Sequence, residues 1–183
     1  MKLCVLIPVY NHEHAIGMVV RQVLAHGLHC LLVDDGSHAG CRQALEALQL
    51  SQPDRITLLR LPENQGKGGA VLAGMQLARD KGFTHALQVD ADGQHDTDAI
   101  PAFVAACMAR PEAVICGYPR YDASVPRARL YGRYATHVWV WINTLSLRIR
   151  DSMCGFRFYP LAPTLAVANH AHIGRRVDFD TEL

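Results

Sequence analysis

Strand-like and helix-like segments alternate from the first residues of the chain, and each strand-like run ends in a distinctive turn. Leu3–Ile7 is a short continuous apolar run, the pattern of a strand buried on both faces. Pro8-Val9-Tyr10-Asn11 breaks it. Glu13–His26 then carries Ile16, Val19, Val20, Val23 and Leu24 at helical spacing, and Gly27 stops the helix. Cys30–Val33 is a second apolar strand and ends in Asp34-Asp35-Gly36-Ser37, with a helix expected over Cys41–Leu50. Ile56–Leu61 is a third strand, followed by glycine-rich Pro62–Gly69 and a helix over Ala70–Arg79. Thr84–Val89 is a fourth, running into Asp90-Ala91-Asp92-Gly93-Gln94-His95. This alternation demands a parallel, doubly wound sheet with right-handed crossovers. Because each special loop follows a strand, all four fall on one edge of the sheet, where open α/β folds bind ligands.

After His95 the rhythm changes. Asp98–Ala109 reads as a helix and Ala113–Gly117 as a strand. Arginines at 120, 127, 129, 133, 148 and 150 then lie among Tyr131, Tyr134, Trp139 and Trp141. This stretch suits a core face with an arginine-rich rim, able to meet a phosphate or an anionic membrane surface. Ser152–Tyr159 alternates as a strand does, and Leu161–Asn169 is a short helix. Val177–Leu183 reads as an element just beginning, as in a fragment of a longer chain. The 183 residues make one domain. The net charge of +1 predicts no general affinity for nucleic acid, and no apolar run approaches the roughly 20 residues that span a bilayer. The six cysteines are scattered without a CxxC pair, as expected of reduced core thiols in a cytosolic protein.

The chemistry concentrates at Asp90 and Asp92. Gly93 lets the chain turn sharply and bring both carboxylates towards one point. Hard oxygen donors beside Gln94 and His95 suit Mg²⁺ or Mn²⁺ better than zinc, and such a cation clamps a diphosphate. An Asp-Gly turn at a strand end accounts for the same residues without a metal. Asp35 can accept from a ribose hydroxyl or a base imide, or simply close an Asx turn. The segment PENQGKGGA lacks P-loop spacing, so it reads first as a close-packing loop and second as a nucleotide contact. His12-Glu13-His14 has no zinc spacing and reads as entry-loop residues.

Together, IPVYN at Ile7–Asn11, VDDGS at Val33–Ser37, ENQGKGGA at Glu63–Ala70 and VDADGQH at Val89–His95 resemble inverting family 2 glycosyltransferases of the GT-A fold. Asp151 with CGFRFYP at Cys154–Pro160 resembles the DxxxGFR segment of the polyprenyl/dolichyl-phosphate branch. The resemblance implies a hexosyltransferase with a nucleoside-diphosphate sugar donor, a polyprenyl phosphate acceptor and Mg²⁺ or Mn²⁺. It implies that Pro8, Tyr10, Val33 and Asp35 hold the nucleoside, and that Asp90, with Ala91 beside it, meets the nucleotide-sugar. Asp92 with Gln94 would hold the metal, Arg120 would meet the sugar-nucleotide, and Arg157 the acceptor phosphate. A phosphate acceptor is already anionic. An alcohol acceptor needs a base, for which Asp180 and Glu182 are candidates. Where the branch often carries Glu after PxYN, this chain has His12, and the basic region after the VDFDTE segment and the membrane helices of the branch are missing. The expected location is cytoplasmic, peripheral at the cytoplasmic membrane face. Two other readings stay open: a non-catalytic nucleotide-sugar-binding module, and a DxD phosphatase, whose motif normally sits on the first strand rather than the fourth.

Overall fold

A computed structural model describes residues 1–118, 142, 154–170, 174 and 179. Six strands form one sheet: β1 (Leu3–Val9), β2 (His29–Asp34), β3 (Ile56–Arg60), β4 (His85–Gln88), β5 (Ile115–Cys116) and β6 (Arg157–Pro160). Their order is β3-β2-β1-β4-β6-β5. The β1–β2, β2–β3 and β1–β4 pairs are parallel, whereas β6 runs antiparallel to both β4 and β5. Chain order reverses at β1: the chain moves outward to β2 and β3, then crosses back to β4. Such a switch point opens a crevice beyond the strand ends.

Helices α1 (Glu13–Ala25), α2 (Ala39–Ser51) and α4 (Ile100–Ala109) belong to one side of the sheet; α3 (Lys67–Asp80) and α5 (Leu161–His170) belong to the other. A short 3₁₀ turn, Thr97–Ala99, precedes α4. Alternation along the strands separates two cores. Val5, Ile7, Leu32, Leu87, Phe156 and Phe158 pack with Ile16, Val20 and Leu45. Cys4, Leu6, Leu31, Val33, Ala86 and Tyr159 pack with Val71, Met75, Leu165 and Phe179. Cys4, Cys30, Cys41 and Cys107 are buried, and burial pushes the Cys4 thiol up to about 12. Those four agree with inert core thiols, whereas Cys116 is exposed and Cys154 half-buried, so the expectation of core burial does not hold for them.

Helix α3 departs from its expected start. Glycine in a helix interior costs about 1 kcal/mol relative to alanine, so sequence places GKGG in a loop. The structure starts the helix at Lys67, with Gly66 as N-cap at φ +84°. Packing overrides propensity here. A Cβ on Gly68 would lie 2.6 Å from Phe179 Cβ, and one on Gly69 would lie 2.7 Å from Gln65 Cβ. The glycines let other chain segments close onto the first turn of α3. The arginine-rich stretch expected at 120–150 lies outside the described residues, except for Ile142, which is exposed.

Candidate functional site

The four strand-end loops are tied to one another at the carboxyl edge of β1, β2 and β4. Asn11, at φ +57°, donates its backbone N–H to Ser37 Oγ, and its side-chain oxygen accepts from His38 N–H at 2.9 Å. Asp34 is buried and accepts from Ser37 N–H while pairing with Arg60, which also donates to the Ser37 carbonyl. Asp35, 2% exposed, accepts from the backbone amides of Gln65 at 2.7 Å and Gly66 at 3.0 Å. It therefore hooks the PENQGKGG segment onto the end of β2. Gly36 makes the approach possible: its φ is +70°, and a Cβ there would fall 2.7 Å from Asn64 nitrogen.

Between these loops lies a cavity of about 440 Å³. Pro8, Val9, Tyr10 and His12 line it from the first loop, Asp35 from the second, Asn64, Gly66, Lys67 and Ala70 from the third, and Asp90, Ala91 and Asp92 from the fourth. Tyr10 is 49% exposed and lines the cavity, so its ring is open to stacking by a planar group.

The two carboxylates of DxD differ in setting. Lys67 Nζ lies 2.9 Å from Asp90 Oδ1 and 3.0 Å from Oδ2, and His95 Nε2 lies 3.2 Å from Oδ2. The His95 ring stacks on Phe156 at 5.0 Å. Burial pushes the Asp90 carboxyl up, but the His95 contact and the Lys67 ammonium outweigh it and hold it well below the usual carboxylate range. Asp92 is exposed, and among the described residues its Oδ1 accepts a local turn bond from Gln94 N–H at 3.0 Å.

Because the Asp90 pKa is depressed on folding, its contribution to stability is present above its ordinary value of 3.8 and is lost as pH falls towards the folded value. Acid unfolding should therefore steepen below about pH 4. Asp90→Asn should flatten that limb while changing the neutral-to-alkaline side little, as read by melting temperature against pH. A variant with the parental acid limb would place the depressed pKa elsewhere.

The cavity brings together Pro8, Tyr10, Asp35, Asp90, Ala91 and Asp92 of the residues singled out from sequence. Val33 is in the core beside Leu6 and Gly74, away from the cavity lining. Gln94 is exposed and off the lining. Arg157, 4% exposed, sits in β6 opposite Gln88, donates Nε–H to the Cys154 carbonyl, and is also outside the lining. Arg120, Asp180 and Glu182 lie outside the described residues. Lys67 was not singled out as a site residue. The signal was present: it is the one lysine or arginine in the four strand-end loops PVYN, DDGS, PENQGKGG and DADGQH. Among the described residues no group of three or more His, Cys, Asp or Glu side chains encloses a metal. A cation here would be held by one or two carboxylates, ligand oxygens and water, which suits Mg²⁺ or Mn²⁺.

The family model for glycosyl transferase family 2 matches residues 4–170. The chain belongs to glycosyl transferase family 2. Among family relatives, the polyprenol monophosphomannose synthase of Mycolicibacterium smegmatis is 31% identical over 113 residues, covering 61% of this chain and 43% of that protein. The dolichyl-phosphate beta-glucosyltransferase of Mus musculus is 28% identical over 204 residues, covering 100% and 61%. The chain thus spans roughly half the length of these relatives. Solved structures show the GT-A fold expected from the motifs. The mannosyltransferase PcManGT from Pyrobaculum calidifontis, in complex with GDP-Man and Mn²⁺, superposes with TM-score 0.63 at 15% identity, covering 98% of this chain and 50% of that one. S. aureus TarS in complex with UDP-GlcNAc gives 0.61 at 16%, covering 100% and 53%. Among the described residues of this family 2 chain, no helix is long and apolar enough to cross a membrane.

Proposed function

We propose that the protein transfers a sugar from a nucleoside-diphosphate sugar to a polyprenyl phosphate, with a divalent cation assisting. The observation that carries this reading is the convergence of all four strand-end loops on one cavity, with one carboxylate paired and half-buried and the next exposed. A phosphatase of the DxD type leaves the Pro8–Tyr10 wall and the Asp35 hook without a role; sugar-nucleotide binding uses both.

Tyr10 and Pro8 form the wall for the nucleoside, and Asp35 holds the third loop where the diphosphate passes. Asp92 would hold Mg²⁺ or Mn²⁺, which offsets the charge that develops on the departing diphosphate. Asp90 lies deeper and orients the sugar through its hydroxyls. An acceptor phosphate oxygen attacks the anomeric carbon from the opposite face and forms the new C–O bond. The bond to the diphosphate breaks with its electron pair on the leaving oxygen. Because the acceptor is already anionic, no general base is required. Relatives named for polyprenol and dolichyl phosphate support the acceptor class. The chain would meet such an acceptor at the membrane surface.

The test is a transfer assay with UDP-glucose and GDP-mannose, Mn²⁺ and a short-chain polyprenyl phosphate. Metal-dependent formation of polyprenyl-phosphate sugar is expected from one donor. Donor binding with no transfer to any acceptor identifies a binding module instead. Release of inorganic phosphate from phosphomonoesters identifies the phosphatase.

A further inference from the structure

Asp90 Oδ1 is a buried acceptor that makes no aligned hydrogen bond, although Lys67 Nζ stands 2.9 Å away. The ammonium neutralises this oxygen without satisfying its directional demand, and so leaves it suited to a hydroxyl donor. Three chain segments meet at the pair. Lys67 opens α3 beneath the glycine-rich turn, and Asp90 follows β4. Gly155 precedes β6, close enough that a Cβ there would lie 2.5 Å from Lys67 Nζ and 2.9 Å and 3.0 Å from the Asp90 oxygens. Both Lys67 and Asp90 line the cavity, so a ligand can reach either partner.

From this geometry we infer that Lys67 is an exchangeable counter-ion: it neutralises Asp90 in the empty site and moves to the diphosphate when donor binds, handing Asp90 Oδ1 to a sugar hydroxyl. This inference rests on the donor reading above. It adds a thermodynamic consequence. A nucleoside diphosphate without its sugar draws the ammonium away and leaves a buried carboxylate oxygen with nothing in exchange, an expensive state. A nucleotide-sugar supplies both replacements at once. The site therefore favours intact donor over spent product, and the discrimination resides in the ion pair rather than in contacts to the sugar alone. Lys67 is a binding residue for the diphosphate. Gly155 is a positioning residue, whose missing side chain lets the pair form against the backbone.

Isothermal titration in Mn²⁺ with UDP, UDP-glucose, GDP and GDP-mannose tests this, using the base that the parent binds more tightly. Two variants separate the roles of the pair: one weakens diphosphate affinity and the other does not. Lys67→Met should weaken the nucleoside diphosphate by about tenfold or more, since a charge-assisted contact is lost. Asp90→Asn frees Lys67 in advance, so the same nucleoside diphosphate should bind as tightly as to the parent or tighter, while the added affinity from the sugar disappears. Lys67→Arg, which keeps the charge, should retain most of the diphosphate affinity. Unchanged diphosphate binding by Lys67→Met, or equal weakening of diphosphate and diphosphate-sugar by Asp90→Asn, overturns the exchange and leaves Lys67 a structural partner of Asp90. If the parent binds none of the four ligands, the donor reading itself fails, and the exchange fails with it.

Discussion

Asp92→Ala is expected to abolish the Mn²⁺-dependent part of nucleoside diphosphate affinity and to cut sugar transfer by about 10²–10³-fold, the scale of losing one preorganised electrostatic stabiliser. The melting temperature should hardly change. Asp92 is exposed and spends its side chain on a turn bond to Gln94 N–H, so little packing is lost with it. Titration with and without Mn²⁺ on both proteins reads the effect. Equal affinities for the parent and the variant in Mn²⁺ would falsify the assignment of Asp92 to the cation.

Asp35→Asn should act in the opposite sense, on stability first and on binding through it. The carboxylate accepts two backbone N–H groups, and an amide can accept with one end only. Turning an NH₂ towards Gln65 or Gly66 leaves a partly buried donor unsatisfied, at about 1–3 kcal/mol. That corresponds to a fall of roughly 2–4 °C in melting temperature per kcal/mol for a chain of this size. The PENQGKGG turn loses its anchor with it, so nucleotide affinity should fall even though no nucleotide contact was removed. The pH dependence distinguishes the two roles. Burial raises the Asp35 pKa, against the partial relief from the Gln65 and Gly66 amides. A raised folded pKa means the folded state holds the proton more tightly, so ionising Asp35 costs stability as pH climbs past 3.8. The variant should lack that decline. A variant with parental stability and a selective loss of nucleotide binding would make Asp35 a ligand contact alone.

What sequence revealed here, and what it hid, follow from locality. The strand–helix alternation and the placement of four loops on one edge depend on short-range periodicity, and the parallel core β3-β2-β1-β4 follows from it. Asp90 and Asp92 stood out in company rather than alone: an Asp-Gly turn after an apolar strand has an ordinary structural use, and the three other strand-end loops, which line the same cavity, are what set this one apart. The Lys67–Asp90 pair was not, since it joins residues 23 apart whose proximity depends on β4 lying beside β1. The start of α3 was hidden for the same reason: the glycine penalty is local, but the Phe179 contact that offsets it comes from the far end of the chain. Arg157 shows the limit of strand alternation. Sequence placed it opposite Phe156 and Phe158, and Phe156 and Phe158 do pack on the other side from its neighbour Tyr159. Alternation alone does not say how deep in the sheet the residue sits.

The antiparallel strand β6 lies between β4 and β5, inside the sheet, yet it is drawn from late in the chain: the Tyr159 hydroxyl donates to Gln88 Oε1 across 71 residues. This has a consequence for the order of synthesis. As the chain leaves the ribosome, β1 to β4 and their helices can assemble from neighbouring segments, with the Pro8–Tyr10 wall of the cavity and the Asp35 hook in place. Until Cys154–Pro160 arrives, β4 presents an unpaired edge, and the pocket lacks the backbone that closes against Asp90. Loop closure over that span is entropically slow, and an open edge invites pairing with another chain. The parallel half of the sheet is thus made early and the antiparallel half late, so chains interrupted between the two are the species most exposed to mispairing.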